Sequence, residues 1–140
     1  MKPSPMALAA LLCAAVIAAP AQSPVVKPVP ARPITSTNGQ DLYREYCAVC
    51  HGVDAKGGGP AAVALKQKPT DLTQIARKNH GKFDEIAVER VIKGDDAVAA
   101  HGTRDMPTWG VVFKSISTDE ASAKLRIYNV VMYIGKIQAK

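Results

Sequence analysis

The stretch Cys47-Ala48-Val49-Cys50-His51 is the most informative part of this 140-residue sequence. Composition alone would produce the C-x-x-C-H pattern in roughly one such chain in 750, so coincidence is a poor explanation for it. Two thiols three residues apart on a helical turn can form thioethers with both vinyl groups of one haem, and the histidine that follows is then aimed at the iron. The pattern therefore predicts one haem c, attached covalently through Cys47 and Cys50, with His51 as an iron ligand.

Other uses of the two cysteines remain open. A thioredoxin-like dithiol also has the form C-x-x-C, but it follows a strand in a βαβ unit, and this sequence shows no alternating strand pattern of useful length. Zinc needs about four ligands, and beyond the motif only His80 and His101 are available. A structural disulfide would close only a small loop and would leave His51 without a role. Covalent haem is the interpretation that uses all three residues.

Helical patterns lie on both sides of the motif. Thr37-Asn38-Gly39-Gln40 has the form of a capping box and opens a helical spacing that predicts a first helix over 39–49. Two shorter helical patterns cover 72–76 and 83–92, and a second capping box at 117–120 opens a helix that runs to about 137. We therefore expect an all-α domain of four to five helices, with long loops at 51–70 and 94–116 that need something to pack against.

The N-terminus carries the pattern of an export signal. Lys2, the apolar run 6–19 and Ala19-Pro20-Ala21 together predict a signal peptide over residues 1–21. As a helix the apolar run would span about 21 Å, less than the roughly 30 Å of a bilayer core, which favours cleavage over an uncleaved anchor. Cys13 lies inside the run without a small residue before it, which disfavours a lipid anchor.

A proline-rich segment separates the signal from the folded domain. Five prolines between positions 20 and 33, without helical or strand periodicity, predict a flexible segment over 22–37 and one domain over 38–140. Removal of the signal would leave one cysteine pair and a net charge of about +5, against +6 for the whole chain. Such a basic balance favours acidic partners. We expect an exported protein of the bacterial periplasm.

These motifs resemble those of the class I c-type cytochromes, small exported electron carriers with a single haem. The resemblance covers about residues 38–137, and its specific parts are Cys47-Ala-Val-Cys-His51-Gly52 and Met106-Pro107-Thr108-Trp109-Gly110. Supporting matches are Gly39 and Tyr43, the Gly57-Gly58-Gly59-Pro60 loop, Pro69-Thr70-Asp71-Leu72-Thr73, and Tyr133-Ile134. The resemblance implies a helical bundle around the haem, whose first and last helices cross with close approach at Gly39 and Tyr133.

The resemblance also implies that Met106 is the second iron ligand. Its thioether is a soft, neutral ligand that favours ferrous iron, and it lies in a Pro- and Gly-containing loop 55 residues after His51. A His/Met pair leaves no open coordination site, which suits electron transfer better than oxygen chemistry. His101 is the competing ligand, because imidazole also binds iron well.

Three further residues have expected roles beside the haem. Arg104 and Trp109 flank Met106 and can donate hydrogen bonds to haem propionates. The alternative for Arg104 is a surface charge, and the alternative for Trp109 is packing against the haem. The resemblance further implies that the Pro60 carbonyl accepts a hydrogen bond from the second ring nitrogen of His51.

The sequence as a whole predicts a mono-haem cytochrome that carries single electrons between redox proteins and is not an enzyme. We expect acidic docking surfaces on its partners, met by Lys56, Lys66 and Arg104 near the haem edge. We also expect a monomer that binds no nucleic acid and meets a membrane only as a neighbour or through an uncleaved signal. A haem enzyme or gas sensor with an open sixth site, and a module docked on a larger oxidase or dehydrogenase, remain the alternatives.

Overall fold

A computed structural model describes residues 32–95 and 106–139 of the chain. The predicted signal peptide, residues 22–31 of the proline-rich segment, His101 and Arg104 lie outside these residues. All secondary structure in the two described ranges is helical, which confirms the predicted all-α fold. None of the helices in these ranges has both the length and the apolar character needed to cross a membrane.

The C-x-x-C-H motif lies at the end of a continuous helical run, which we call the N-terminal helix. It consists of α1 (Gly39–Leu42), a π-helical segment (Tyr43–Cys47) and α2 (Ala48–His51). Asn38 caps its start, since the side-chain oxygen accepts a hydrogen bond from the backbone N–H of Gln40 at 2.9 Å. The capping residue is thus Asn38 and not the predicted Thr37. The helix ends at Gly52, whose φ of +80° is a conformation that favours glycine.

The remaining helices follow the motif in chain order. They are short 3₁₀ turns at Ala62–Ala64 and Leu72–Gln74, α3 (Ile75–Lys78), α4 (Glu85–Lys93), α5 (Trp109–Ile116) and α6 (Glu120–Lys136). The patterns at 72–76, 83–92 and 117–137 correspond to the second 3₁₀ turn with α3, to α4 and to α6. Asp119 caps α6 by accepting a hydrogen bond from the Ser122 backbone N–H at 2.8 Å.

Helix α5 corrects the predicted loop over 94–116. Its sequence begins Trp109-Gly110-Val111-Val112, and β-branched residues and glycine are weak helix formers. The N-cap Thr108 makes no side-chain capping hydrogen bond, so a cap does not stabilise the start of this helix. The stabilisation comes from tertiary contacts instead, because Trp109 and Phe113 are both buried in the core.

The N-terminal helix and α6 cross at Gly39. A Cβ atom at this position would lie 2.0 Å from the backbone oxygen of Asn129 and 3.0 Å from the Cβ of Tyr133, so only a hydrogen atom fits. The rings of Tyr43 and Tyr133 meet beside the crossing, with their centroids 5.2 Å apart. The expected crossing of the first and last helices at Gly39 and Tyr133 is therefore confirmed.

An aromatic cluster joins the N-terminal helix to α5. Tyr46, Trp109 and Phe113 form it, with ring centroids 5.2 to 5.7 Å apart. Burying three rings against one another holds the end of the N-terminal helix next to the start of α5. Since Met106 immediately precedes α5, this cluster also sets where Met106 lies relative to the motif.

Residues 32–37, which fall in the predicted proline-rich segment, are hydrogen-bonded to the domain. The buried guanidinium of Arg126 in α6 donates to the carbonyl oxygens of Ile34 at 2.9 Å and Ser36 at 3.2 Å. The hydroxyl of Tyr46 donates to the carbonyl oxygen of Arg32 at 2.7 Å. The hydrogen-bonded structure thus begins on the N-terminal side of residue 38.

Candidate haem site

A single cleft brings together the four predicted site residues. Its lining is drawn from residues 46–51, 65–70 and 106–109, and its empty volume is about 780 Å³, part of it open to solvent. A concave, partly open cleft lined by apolar groups and a few polar ones is typical of small-molecule and cofactor sites. Cys47, Cys50, His51 and Met106 all line the cleft, although Met106 is distant from the other three in sequence.

The imidazole of His51 is buried at the end of α2 and is oriented by a backbone carbonyl. Its Nδ1 atom lies 3.1 Å from the carbonyl oxygen of Thr70. An Nδ1–H donated to this oxygen selects the neutral tautomer whose lone pair is on Nε2, which is a metal-binding form of histidine. The local structure therefore prepares His51 to donate through Nε2.

The expected partner of His51, the Pro60 carbonyl, is replaced by that of Thr70. Pro60 is exposed, because the loop after the motif turns back over the helix end. In that turn the backbone N–H of Gly57 donates to the His51 carbonyl at 2.8 Å, and the N–H of Gly59 donates to the Cys50 carbonyl at 3.0 Å. The carbonyl that faces the His51 ring thus belongs to Thr70, ten residues after the Pro60 that the resemblance implied.

The two cysteines are free thiols with little tendency to ionise. Burial, with a smaller contribution from the charge of Cys50, raises the pKa of Cys47 to about 12. Burial also raises the pKa of Cys50. Thiol–disulfide exchange proceeds through the thiolate, and a raised thiol pKa leaves little of that form.

The donor arrangement does not favour zinc either. Across residues 32–95 and 106–139, no three His, Cys, Asp or Glu side chains are grouped so that they could hold a metal ion. His80 is exposed in a turn and does not line the cleft. Of the ligands considered from the sequence, His101 lies outside the described residues.

The chemistry of the cleft fits a haem. Two thiols, an imidazole and a thioether face it, and much of the remaining wall is apolar, with Val49, Leu65, Pro69, Pro107 and Trp109. Trp109 is buried and contacts the Tyr46 and Phe113 rings, so it packs between the cleft and the core. The donor set and the apolar wall are those that a covalently attached haem requires.

Lys68 and Gln67 are polar lining residues that the sequence did not mark. They lie in the Lys66-Gln67-Lys68-Pro69 stretch, inside a predicted loop with no periodicity. Lys56 and Lys66, the lysines expected near the haem edge, are both exposed. Lys66 is adjacent in sequence to the cleft lining, whereas the charge of Lys56 acts on Asp71. The one signal for Lys68 in the sequence is that it directly precedes Pro69-Thr70, which belong to a stretch that matches the resemblance.

Comparisons with known proteins support the same class of protein. The model of the family described as cytochrome c oxidase, cbb3-type, subunit III matches residues 35–123. Cytochrome c-551 of Bacillus subtilis (strain 168) is 30% identical over 84 residues, which are 59% of this chain and 62% of the relative, so the match spans less than two thirds of that protein. No solved structure matches. Because the family match covers more than half of the chain and contains the C-x-x-C-H motif and Met106, this protein belongs to the class I c-type cytochromes, within the family described as cytochrome c oxidase, cbb3-type, subunit III.

Proposed function

We propose that this protein is a mono-haem c-type cytochrome of the bacterial periplasm that carries single electrons between redox proteins. The observation that carries the proposal is the cleft, because it collects two thiols, one imidazole and one thioether from distant parts of the chain. The haem supplies the one-electron chemistry when it is bound, and the chain attaches it, ligates it and limits access of water.

Each of the four residues has one role in this proposal. Cys47 and Cys50 form the two thioethers and fix the orientation of the single haem. His51 ligates iron through Nε2, since its Nδ1 faces the Thr70 carbonyl. Met106 ligates through sulfur, which favours ferrous iron and raises the reduction potential. If His51 and Met106 both held the iron, the protein would supply two ligands and would leave no open site for oxygen or a substrate.

The edge of the cleft supports docking to an acidic partner. Lys66 is exposed and Lys68 lines the cleft, while the apolar side chain of Val49 is 46% exposed on the same wall. An apolar contact area with basic neighbours suits a transient complex, because charge steers the encounter and apolar contact completes it. Arg104, which precedes Met106, belongs to the proposed basic edge, although it lies outside the described residues.

Two further parts of the proposal concern location and catalysis. The N-terminal pattern of Lys2, an apolar run and Ala19-Pro20-Ala21 supports export and cleavage near residue 21. The described lining of the cleft includes no carboxylate, which supports a carrier over an enzyme that needs a carboxylate as acid or base. We also propose that the carrier is a monomer. We propose no nucleic-acid partner, and a membrane only as a neighbour.

A cytochrome module docked on a larger oxidase is the second candidate. The matching family is described as a subunit of a cbb3-type cytochrome c oxidase, and this description favours it. Such a module would use the same cleft and the same four residues. Co-purification of the exported protein in a stable complex would favour the docked module, whereas recovery as a free monomer would favour the carrier.

Intact mass and the optical spectrum of the exported protein test the proposal directly. One covalent haem on a chain that begins near residue 22, with a low-spin spectrum of His/Met ligation, is the expected result. High-spin, water-ligated ferric iron would overturn the carrier and favour a haem enzyme or gas sensor.

The role of Met106 has its own test. Met106→Leu keeps most of the side-chain volume, and it should lower the reduction potential and let added imidazole or cyanide bind, because the sulfur ligand is gone. Met132→Leu in α6 is the matched control, since Met132 does not line the cleft, and it should change neither property. An unchanged potential and unchanged resistance to ligands in Met106→Leu would move the sixth ligand elsewhere, with His101 the first candidate.

A further inference from the structure

We propose that Gln138, just beyond α6, is a positioning residue for His51. It holds the chain segment that presents the Thr70 carbonyl to the imidazole. The inference rests on the proposed ligation of iron by His51 and names a residue far from the motif in sequence that tunes this ligand.

The side-chain amide of Gln138 donates two hydrogen bonds and accepts one. Its Nε2 atom donates to the carbonyl oxygens of Leu72 at 2.7 Å and Ile134 at 2.8 Å. Its Oε1 atom accepts a hydrogen bond from the backbone N–H of Ala76 at 2.8 Å. One side chain therefore joins the last turn of α6 to both ends of the segment 72–76. The backbone N–H of the next residue donates to the Thr73 carbonyl at 2.8 Å and extends this contact.

The segment held by Gln138 continues directly into the carbonyl that orients His51. Thr70 lies two residues before Leu72, and its carbonyl oxygen is 3.1 Å from the His51 Nδ1 atom. On the other side, the backbone N–H of Leu72 donates to the Ala55 carbonyl at 2.8 Å, in the loop that follows the motif. Leu72, two residues after Thr70, is thus held at both of its backbone polar groups. Its N–H is bonded to Ala55 and its carbonyl to Gln138.

The contact has a chemical consequence at the iron ligand. A hydrogen bond from Nδ1–H to a carbonyl makes the imidazole a stronger electron donor through Nε2, and a stronger donor favours ferric iron. If the Thr70 carbonyl loses its fixed position, the bond lengthens and the imidazole donates less. Loss of the Gln138 amide should therefore raise the reduction potential, in the direction opposite to the loss of Met106.

The test compares variants of two side-chain amides in the holo-protein, those of Gln138 and Asn129. Gln138→Met keeps the length of the side chain and removes its hydrogen bonds, and Gln138→Ala removes both. We expect an upward shift of the midpoint potential and roughly tenfold faster hydrogen exchange of the His51 Nδ1 proton, followed by NMR. Asn129→Ala is the control, because the Asn129 amide also bonds a distant carbonyl, that of Thr37 at 2.7 Å, but not near Thr70. This control should lower the stability to denaturant and leave both readouts unchanged.

The outcomes separate this inference from the proposed function. A holo Gln138→Met protein with the potential and exchange rate of the unmodified protein overturns the positioning role, even if its stability falls. If neither Met nor Ala yields holo-protein, Gln138→Glu retains the acceptor toward Ala76 and removes the two donors, although it places a negative charge near the Leu72 and Ile134 carbonyl oxygens. Failure of all three variants overturns the inference, because Gln138 would then be required for folding itself. Absence of covalent haem from the unmodified protein would refute the proposed function instead.

Discussion

Replacement of Gly39 by alanine should destabilise the domain by about 2 kcal/mol, because it drives the two crossing helices apart. The added Cβ would lie 2.0 Å from the backbone oxygen of Asn129, 2.8 Å from its carbonyl carbon and 3.0 Å from the Cβ of Tyr133. Two of these three atoms belong to the backbone of α6 and cannot rotate away. The N-terminal helix and α6 must therefore separate by about 1 Å at their crossing to remove the overlap.

The magnitude follows from three contributions. Overpacking of a closely packed contact costs about 1–3 kcal/mol. Separation of the helices also weakens the contact between the Tyr43 and Tyr133 rings, and aromatic pairs contribute about 0.5–1.5 kcal/mol beyond their burial. Alanine is the better helix former by up to about 1 kcal/mol, which offsets part of this loss. The net effect of about 2 kcal/mol corresponds to a roughly 30-fold smaller folding constant.

Denaturant unfolding of the holo-protein, followed by far-ultraviolet circular dichroism, measures this effect. Gly58→Ala is the matched control, since among the described residues no atom other than those of its chain neighbours lies within 4 Å of the added Cβ, and the φ of Gly58 is not positive. That control should leave stability unchanged or raise it by about 0.4–1 kcal/mol. If Gly39→Ala were as stable as Gly58→Ala, the close crossing of the two helices would be refuted.

Three further predictions concern the haem, pH and salt. The double variant Cys47→Ala, Cys50→Ala should lack covalent haem and melt well below the parent, because the cofactor fills the cleft; a haem-free variant that melts like the parent would show that the cofactor is not part of the core. Hydrogen bonds from the first turn of α6, led by a backbone N–H, lower the pKa of Asp119. The stabilisation that Asp119 contributes is therefore present above about pH 3.9 and is lost as the pH falls. The unmodified protein should be more stable than Asp119→Asn at pH 6 and less so at pH 3, and a difference in urea unfolding that does not change with pH would contradict this. The electron-transfer rate to an acidic redox protein should fall with added salt, whereas the rate to a neutral small reagent should barely change. The salt dependence should be weaker after Lys66→Ala and Lys68→Ala. An unchanged salt dependence in these variants would mean that the two lysines only aid solubility.

Local spacing predicted those parts of the fold that short-range signals encode. Capping residues and the helical period marked both the N-terminal helix and α6, and the first ends at His51 instead of residue 49. Helix α5 was missed because Gly110 and its β-branched neighbours lower helix propensity, and because its stability comes from burying Phe113 against rings far away in sequence. Tertiary contacts of this kind leave no period in the sequence.

The candidate site was predictable only in part, for a related reason. Cysteine, histidine and methionine have distinctive side chains, so a short motif and a resemblance could single them out. The partner of the His51 ring is a backbone carbonyl, which every residue possesses, and the resemblance pointed to Pro60 where the structure has Thr70. Gln138 likewise forms part of no motif, because its role follows from where α6 ends relative to residues 72–76.

The hydrogen bonds around the motif bear on how an electron carrier of this kind works. The loop after the motif is tied to the helix end by backbone bonds that do not involve a cofactor, including that from Ala61 to the Val49 carbonyl at 2.8 Å. The chain beyond it is tied back at Leu72, and the His51 ring lies between these two anchored parts. These backbone bonds fix the two segments between which the His51 ring lies, so its Nδ1 atom is kept facing the Thr70 carbonyl. In an electron carrier, an iron ligand held in this way would need little rearrangement when the electron enters or leaves.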